Sequence, residues 1–337
     1  MVKKLLSVLG GKAVFPPPIW LMRQAGRYLP EYRALRAKAP DFVQFCLNPE
    51  LAAEVTLQPV RRFRLDAAIL FADILLIPHA LGQKLWFAEG EGPRLEPLRD
   101  ADSIAALCYD GEKLAPVTKT IRHVRGALDE DTSLIGFAGG PWTVASYMIE
   151  GRGGTDHETI RRWAWAEPQS FARLMDVLVE STSAYLIAQA DAGAEALQLF
   201  ESWAGTVPAG LFERAVLAPT ARIVAAVKAK HPAIPIIGFP RAAGAWLAHY
   251  AQSTKMDGIG VDQMTDIASI ALAPHVARQG NLDPVLLLQG GNAMHAEARR
   301  LAGAMRGKPF VFNLGHGVMQ PTPPDHVAEL VATVRAA

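Results

Sequence analysis

The chain has 337 residues, 50% hydrophobic and 20% charged, with 34 basic against 33 acidic side chains and a formal net charge of +1. That balance builds an ordinary globular core and leaves no basic surface for nucleic acid or membrane headgroups. Two cysteines, Cys46 and Cys108, are too few for a disulfide framework or a cysteine-rich zinc site. Residues 1–11 carry Lys3 and Lys4 ahead of an apolar stretch shorter than a secretory signal core. No run approaches the ~18 apolar residues of a membrane span, so the expectation is a cytoplasmic protein.

Phe15-Pro16-Pro17-Pro18 is a stiff lead-in to Ile19-Trp20-Leu21-Met22, an apolar run short enough for a buried strand. The run stops at Arg23, and Gly26 and Arg27 follow at once. Two guanidiniums on a glycine-containing turn suit a bound anion, because each fork can donate two parallel hydrogen bonds. Solvated arginines on a surface loop would read the same way. Seven more short apolar runs follow, at residues 67–71, 134–137, 196–199, 234–238, 258–261, 276–279 and 310–313. Helix-like stretches separate them: residues 156–192, divided at Pro168, then 208–230, 296–305 and 327–335.

Eight strands alternating with helices predict an α/β fold, a single (β/α)8 barrel over residues 1–337. A doubly wound sheet is the alternative, but no glycine-rich phosphate loop follows a first strand. Gly151-Arg152-Gly153-Gly154 follows a helical stretch and reads as a flexible loop. Residues 75–131 read as a long insertion after the second strand. It holds a hairpin at 84–97, turning at 89–92, and a helix at about 112–128.

In such a barrel the catalytic groups stand just past the C-terminal ends of the strands. Those positions hold Arg23 and Arg27, then Asp73, then Tyr147 after a Gly-Gly-Pro turn, then Glu201 and Ser202. Arg241, Asp262, Asn281 with Asp283, and His316 between two glycines complete the round. Asp73, inside Phe71-Ala72-Asp73-Ile74-Leu75, admits two readings. It is either a helix cap or paired acid, or a carboxylate aimed into an apolar cavity where low polarity amplifies its effect on a cation. His316 either bonds to nearby backbone or faces a ligand that the glycines let approach. Tyr147 reads equally as packing and Ser202 as a cap, and Glu201, Asp262 and Asp283 as structural pairs. No histidine pair has metal-ligand spacing, and no Gly-x-Ser-x-Gly turn occurs.

The string Met22-Arg23-Gln24-Ala25-Gly26-Arg27-Tyr28-Leu29-Pro30-Glu31-Tyr32-Arg33 and the stretch from Gly136 to Gly151 resemble the uroporphyrinogen decarboxylase family. So do Phe200-Glu201-Ser202-Trp203, Gln279-Gly280-Asn281-Leu282-Asp283-Pro284 and Asn313-Leu314-Gly315-His316-Gly317. The resemblance runs over nearly the whole chain. It implies a cofactor-free barrel enzyme, a homodimer, holding no metal, that removes carbon dioxide from the four acetates of uroporphyrinogen III in haem biosynthesis. It implies substrate contacts at Arg23, Gln24, Ala25, Gly26, Arg27, Asp73, Tyr147, Ser202 and His316, with Arg36 as a further arginine. In the expected chemistry a protonated pyrrole is the electron sink. Asp73 stabilises that cation, while Arg23 and Arg27 hold carboxylates. Arginine is a poor acid, and His316 has the better intrinsic pKa, ~6.5. Two rivals stand beside this reading: a zinc-dependent methyltransferase on a related barrel, and a tetrapyrrole-binding protein without catalysis. Cys46 and Cys108 have no histidine at ligand spacing, which disfavours the first.

Overall fold

The computed structural model describes residues 3–88 and 92–337. In chain order its strands are β1 (Ala67–Ile69), β2 (Leu85–Ala88), β3 (Gly92–Leu95), β4 (Ser133–Gly139), β5 (Ala196–Glu201), β6 (Ile236–Pro240), β7 (Gly258–Gly260), β8 (Ala277–Leu282) and β9 (Phe310–Leu314). Seven of them, β1 and β4 to β9, pair side by side in chain order, all parallel. Helices follow the strands and cover the sheet from outside. Both faces are therefore dry, and every residue of β4, β6, β8 and β9 is buried.

The first expected strand, residues 19–22, is present as a stave but not as a regular strand. Ile19 forms only a single bridge to Phe312. Phe312 N–H donates to Pro18 O at 2.9 Å on one side, and Asp66 N–H donates to Ile19 O at 2.9 Å on the other. The segment thus closes the curled sheet between β9 and β1. Regular pairing fails because two successive positions offer no N–H to the ladder. Pro18 has no N–H to give, and the Ile19 N–H is taken by the Asp66 side chain at 2.9 Å rather than by a carbonyl. Inside the barrel Trp20 Nε1 donates to Gln279 Oε1, and Gln279 Nε2 to Gln198 Oε1, both at 3.1 Å, so three staves share one buried polar chain.

The expected helix division at Pro168 is found: Glu158–Ala166 ends and Pro168–Asp191 begins there. The stretch expected as one helix over 208–230 is Ala209–Phe212, a π-helical turn Glu213–Leu217, and Ala218–Lys230. Between β1 and β4 lie the helix Leu76–Ala80, the antiparallel hairpin β2–β3 and the helix Ala115–Ala127. Of the turn expected at 89–92, residues 89–91 lie outside the described residues and Gly92 opens β3. The hairpin is fastened to the segment after β4, with Leu95 N–H donating to Gly151 O at 2.8 Å and Leu98 N–H to Met148 O at 2.9 Å.

Candidate active site

The arginine turn after the first stave is built by its own buried amide. Gln24, fully buried, accepts from Leu21 N–H at 3.0 Å and donates to Ala67 O at 3.2 Å. Its backbone carbonyl accepts from Tyr28 Oη at 2.8 Å. The Gln24 side chain therefore serves the turn itself, and what it holds out is the Arg23 and Arg27 side chains, both exposed. Arg23 has a φ of 59°, a left-handed conformation uncommon outside glycine. Holding it there costs on the order of 1 kcal/mol, which the surrounding bonds must outweigh. Gly26 lies so close that an added Cβ would stand 3.1 Å from Arg23 O. Arg23 makes no hydrogen bond or ion pair among the described residues, so its guanidinium is open to a ligand. Arg27 donates to the side-chain oxygen of Gln320 at 2.8 and 3.3 Å, with that amide turned oxygen-inward. Arg36 donates to Ala39 O at 3.0 Å and lies over the Phe45 ring.

Asp73 shows the local backbone bonding of its first reading and keeps a second oxygen uncommitted. Oδ1 accepts from Leu75 N–H at 2.8 Å, which tightens the turn into the helix Leu76–Ala80. Oδ2 takes no hydrogen bond from the described residues. The residue keeps partial exposure, yet it lies deep enough that burial is the leading influence on its carboxyl. Its pKa is pushed up to about 6 by that burial, while the Leu75 N–H and the Arg23 charge pull the other way. Around it, burial raises the Tyr147 phenol, with the Asp73 charge adding to the effect and Arg23 opposing it. Burial also raises the Tyr32 phenol to about 12, and the charges of Arg27, Arg36 and Asp73 all reach it. Asp73, Arg23, Tyr147 and the Arg27 side of the turn thus form one electrostatic neighbourhood.

His316 closes the round from the β9 side. Its ring lies parallel to Phe239 at 6.3 Å, and Nδ1 is buried without a partner. Burial, then the charges of Arg23 and Arg241, push its pKa down to about 3. Against the intrinsic value of ~6.5, this shift favours the uncharged imidazole at neutral pH. Gly317 lets Arg23 lie against the turn, since an added Cβ there would stand 2.6 Å from Arg23 Cγ. Ser202, just past the end of β5, and Tyr147, within the helix Pro141–Glu150 that follows β4, are half-buried.

Other strand-end groups prove structural. Asp262 accepts from Ala242, Met264 and Thr265 and ties the loop after β6 to its own loop after β7. Asn281 donates to Asp262 O at 2.8 Å and Thr265 O at 2.6 Å. Asp283 caps the helix Pro284–Gln289 through Val285 N–H. Sequence reasoning missed Gln320, which steadies Arg27 from beyond the Gly-His-Gly turn; no local pattern marks it. It placed Arg241 at a strand end without giving it a role, whereas the Arg241 charge acts on His316. Cys46 is buried, and its thiol is pushed well up by burial and then by Asp73. Cys108 is exposed. Among the described residues no three His, Cys, Asp or Glu side chains converge to hold a metal ion, so the donor set that the zinc rival needs is not assembled.

A family model described as "Uroporphyrinogen decarboxylase (URO-D)" matches residues 2–337. The chain is 50% identical over 349 residues to a uroporphyrinogen decarboxylase of Gluconacetobacter diazotrophicus, covering 99% of this chain and 98% of the relative. It is 51% identical over 338 residues to one from Acidiphilium cryptum, covering 99% and 94%. Among solved structures, a methyltransferase from Methanosarcina mazei superposes with a TM-score of 0.81 at 20% identity, covering 99% of this chain and 97% of that one. At that identity the likeness speaks for the fold alone.

Proposed function

The chain belongs to the uroporphyrinogen decarboxylase family, and from that premise we propose that it is a carboxy-lyase converting uroporphyrinogen III to coproporphyrinogen III in haem biosynthesis. Each round turns one acetate into a methyl group, releasing one carbon dioxide and consuming one proton. Breaking the carbon–carbon bond leaves an electron pair that needs a sink. A pyrrole protonated on a ring carbon is an iminium, and it accepts that pair without help from a cofactor.

The observation that carries the reading is Asp73, a carboxyl with one oxygen held by backbone and the other uncommitted, largely desolvated and within reach of the Arg23 charge. With a pKa of about 6 it is ionised roughly ten to one at pH 7. Such a carboxylate accepts pyrrole N–H groups at the centre of the macrocycle and stabilises the cation as it forms. Arg23 and Arg27, with the backbone of Gln24, Ala25 and Gly26, take the peripheral carboxylates, and Arg36 stands behind them. Tyr147, Ser202 and neutral His316 complete the polar lining. Anaerobic incubation with uroporphyrinogen III tests the reading: products with seven, six, five and four carboxylates support it, and unchanged substrate contradicts it. The family reading also carries a homodimer.

A further inference from the structure

Glu201 is a completely buried carboxylate, and the chemistry above gives it no task. It ends β5, directly before Ser202, yet its side chain turns away toward the next layer. It accepts from Trp142 N–H at 3.2 Å and Thr143 N–H at 2.6 Å, at the first turn of the helix Pro141–Glu150. The Thr143 hydroxyl donates to it as well, and in turn accepts from Trp203 N–H at 3.1 Å. A carboxylate at a helix N-terminus satisfies N–H groups that have no partner within the helix, and the macrodipole favours its charge.

The consequence is a clamp between two site groups. Ser202 lies between Glu201 and Trp203, and both are tied to Thr143. Tyr147 lies one turn beyond Thr143 on the same helix, with its ring 6.2 Å from that of Trp203. Gly140 gives the clamp room, since any side chain there would run into Glu201. A second strap runs in parallel, from Trp142 Nε1 to Thr206 Oγ1 at 3.1 Å and on to Trp203 O at 2.7 Å. Burial pushes the Glu201 pKa up to about 7 against its three donors, so the clamp is held under a desolvation load.

We propose that Glu201 is a positioning residue for the decarboxylation: with the Thr143 hydroxyl it fixes the spacing between Tyr147 on the helix and Ser202 at the strand end. This rests on the functional reading above and deepens it. The test uses Thr143→Val, which keeps the shape and removes both hydroxyl bonds, beside Thr143→Ser, which keeps them. In crystal structures the Val variant is expected to change the distance between the Tyr147 and Ser202 hydroxyls, and the Ser variant to preserve it. In turnover the Val variant is expected to lose on the order of 10-fold in kcat with KM little changed, the scale of a small misplacement, while Thr143→Ser stays close to the parent. The losses of Thr143→Val and Tyr147→Phe are expected to be non-additive in the double variant. An unchanged hydroxyl spacing, or losses that multiply independently, overturns the proposal. A parent protein with no turnover would sink the functional reading instead, and the crystallographic comparison would still decide the clamp.

Discussion

At the scale of single residues, Asp73 carries opposite signs for stability and for function. Its folded-state pKa, about 6, stands above the ordinary 3.8, so the folded protein holds a proton that the unfolded chain has already lost between those values. Stability therefore falls as pH rises through that window, and the ionised carboxylate needed for catalysis is held at a cost. Asp73→Asn removes the penalty. Relative to the parent, the variant is expected to gain stability between pH 4 and pH 7, by about 1–3 kcal/mol at the upper end. Denaturant midpoints measured at both pH values check this, because Glu201 and every other titrating group cancel in the difference. A difference independent of pH would place Asp73 in water. The acid was readable from the sequence because an aspartate inside Phe71-Ala72-Asp73-Ile74-Leu75 is out of place among apolar neighbours. The state of His316 was not readable. It is set by Arg23 and Arg241, residues 293 and 75 positions away in the chain, and sequence spacing carries no information about such charges.

At the scale of elements, the turn Gly315-His316-Gly317 and the arginine turn form one device. Val318 N–H donates to Met22 O at 2.9 Å, and Met22 N–H to Asn313 Oδ1 at 3.0 Å, so the end of β9 sets the height of the first stave. Gly317→Ala would insert a methyl where Arg23 lies. It is expected to displace the guanidinium and raise KM for the carboxylate-rich substrate several-fold while the circular dichroism stays that of the parent. An unchanged KM would mean that Arg23 lies outside substrate reach. Strand content was legible wherever apolar runs were buried on both faces, as in β4 to β9. The stave at 19–22 was legible in place but not in pairing, since nothing local shows that the Asp66 carboxylate captures the Ile19 N–H from 47 residues on. Gln24 shows the same limit: its motif position was plain, but its inward role depends on Ala67 O.

At the scale of the whole molecule, barrel closure brings residues from every part of the chain to one rim. Arg23 and His316 lie near opposite ends of the sequence and meet because the first stave is inserted between β9 and β1. The alternation of apolar runs and helices was enough to reach that architecture, and the long quoted motifs were enough to reach the family. If the chain is also a homodimer, sedimentation equilibrium will give twice the chain mass at micromolar concentration, and a single-chain mass would remove that part of the reading. The most direct measurement on the chemistry is the rate at which Asp73→Asn consumes uroporphyrinogen under anaerobic conditions near pH 7, beside the parent protein. A fold like the parent's with a rate lower by on the order of 100-fold is expected for the loss of a preorganised stabiliser; turnover close to that of the parent would contradict the role of the carboxylate.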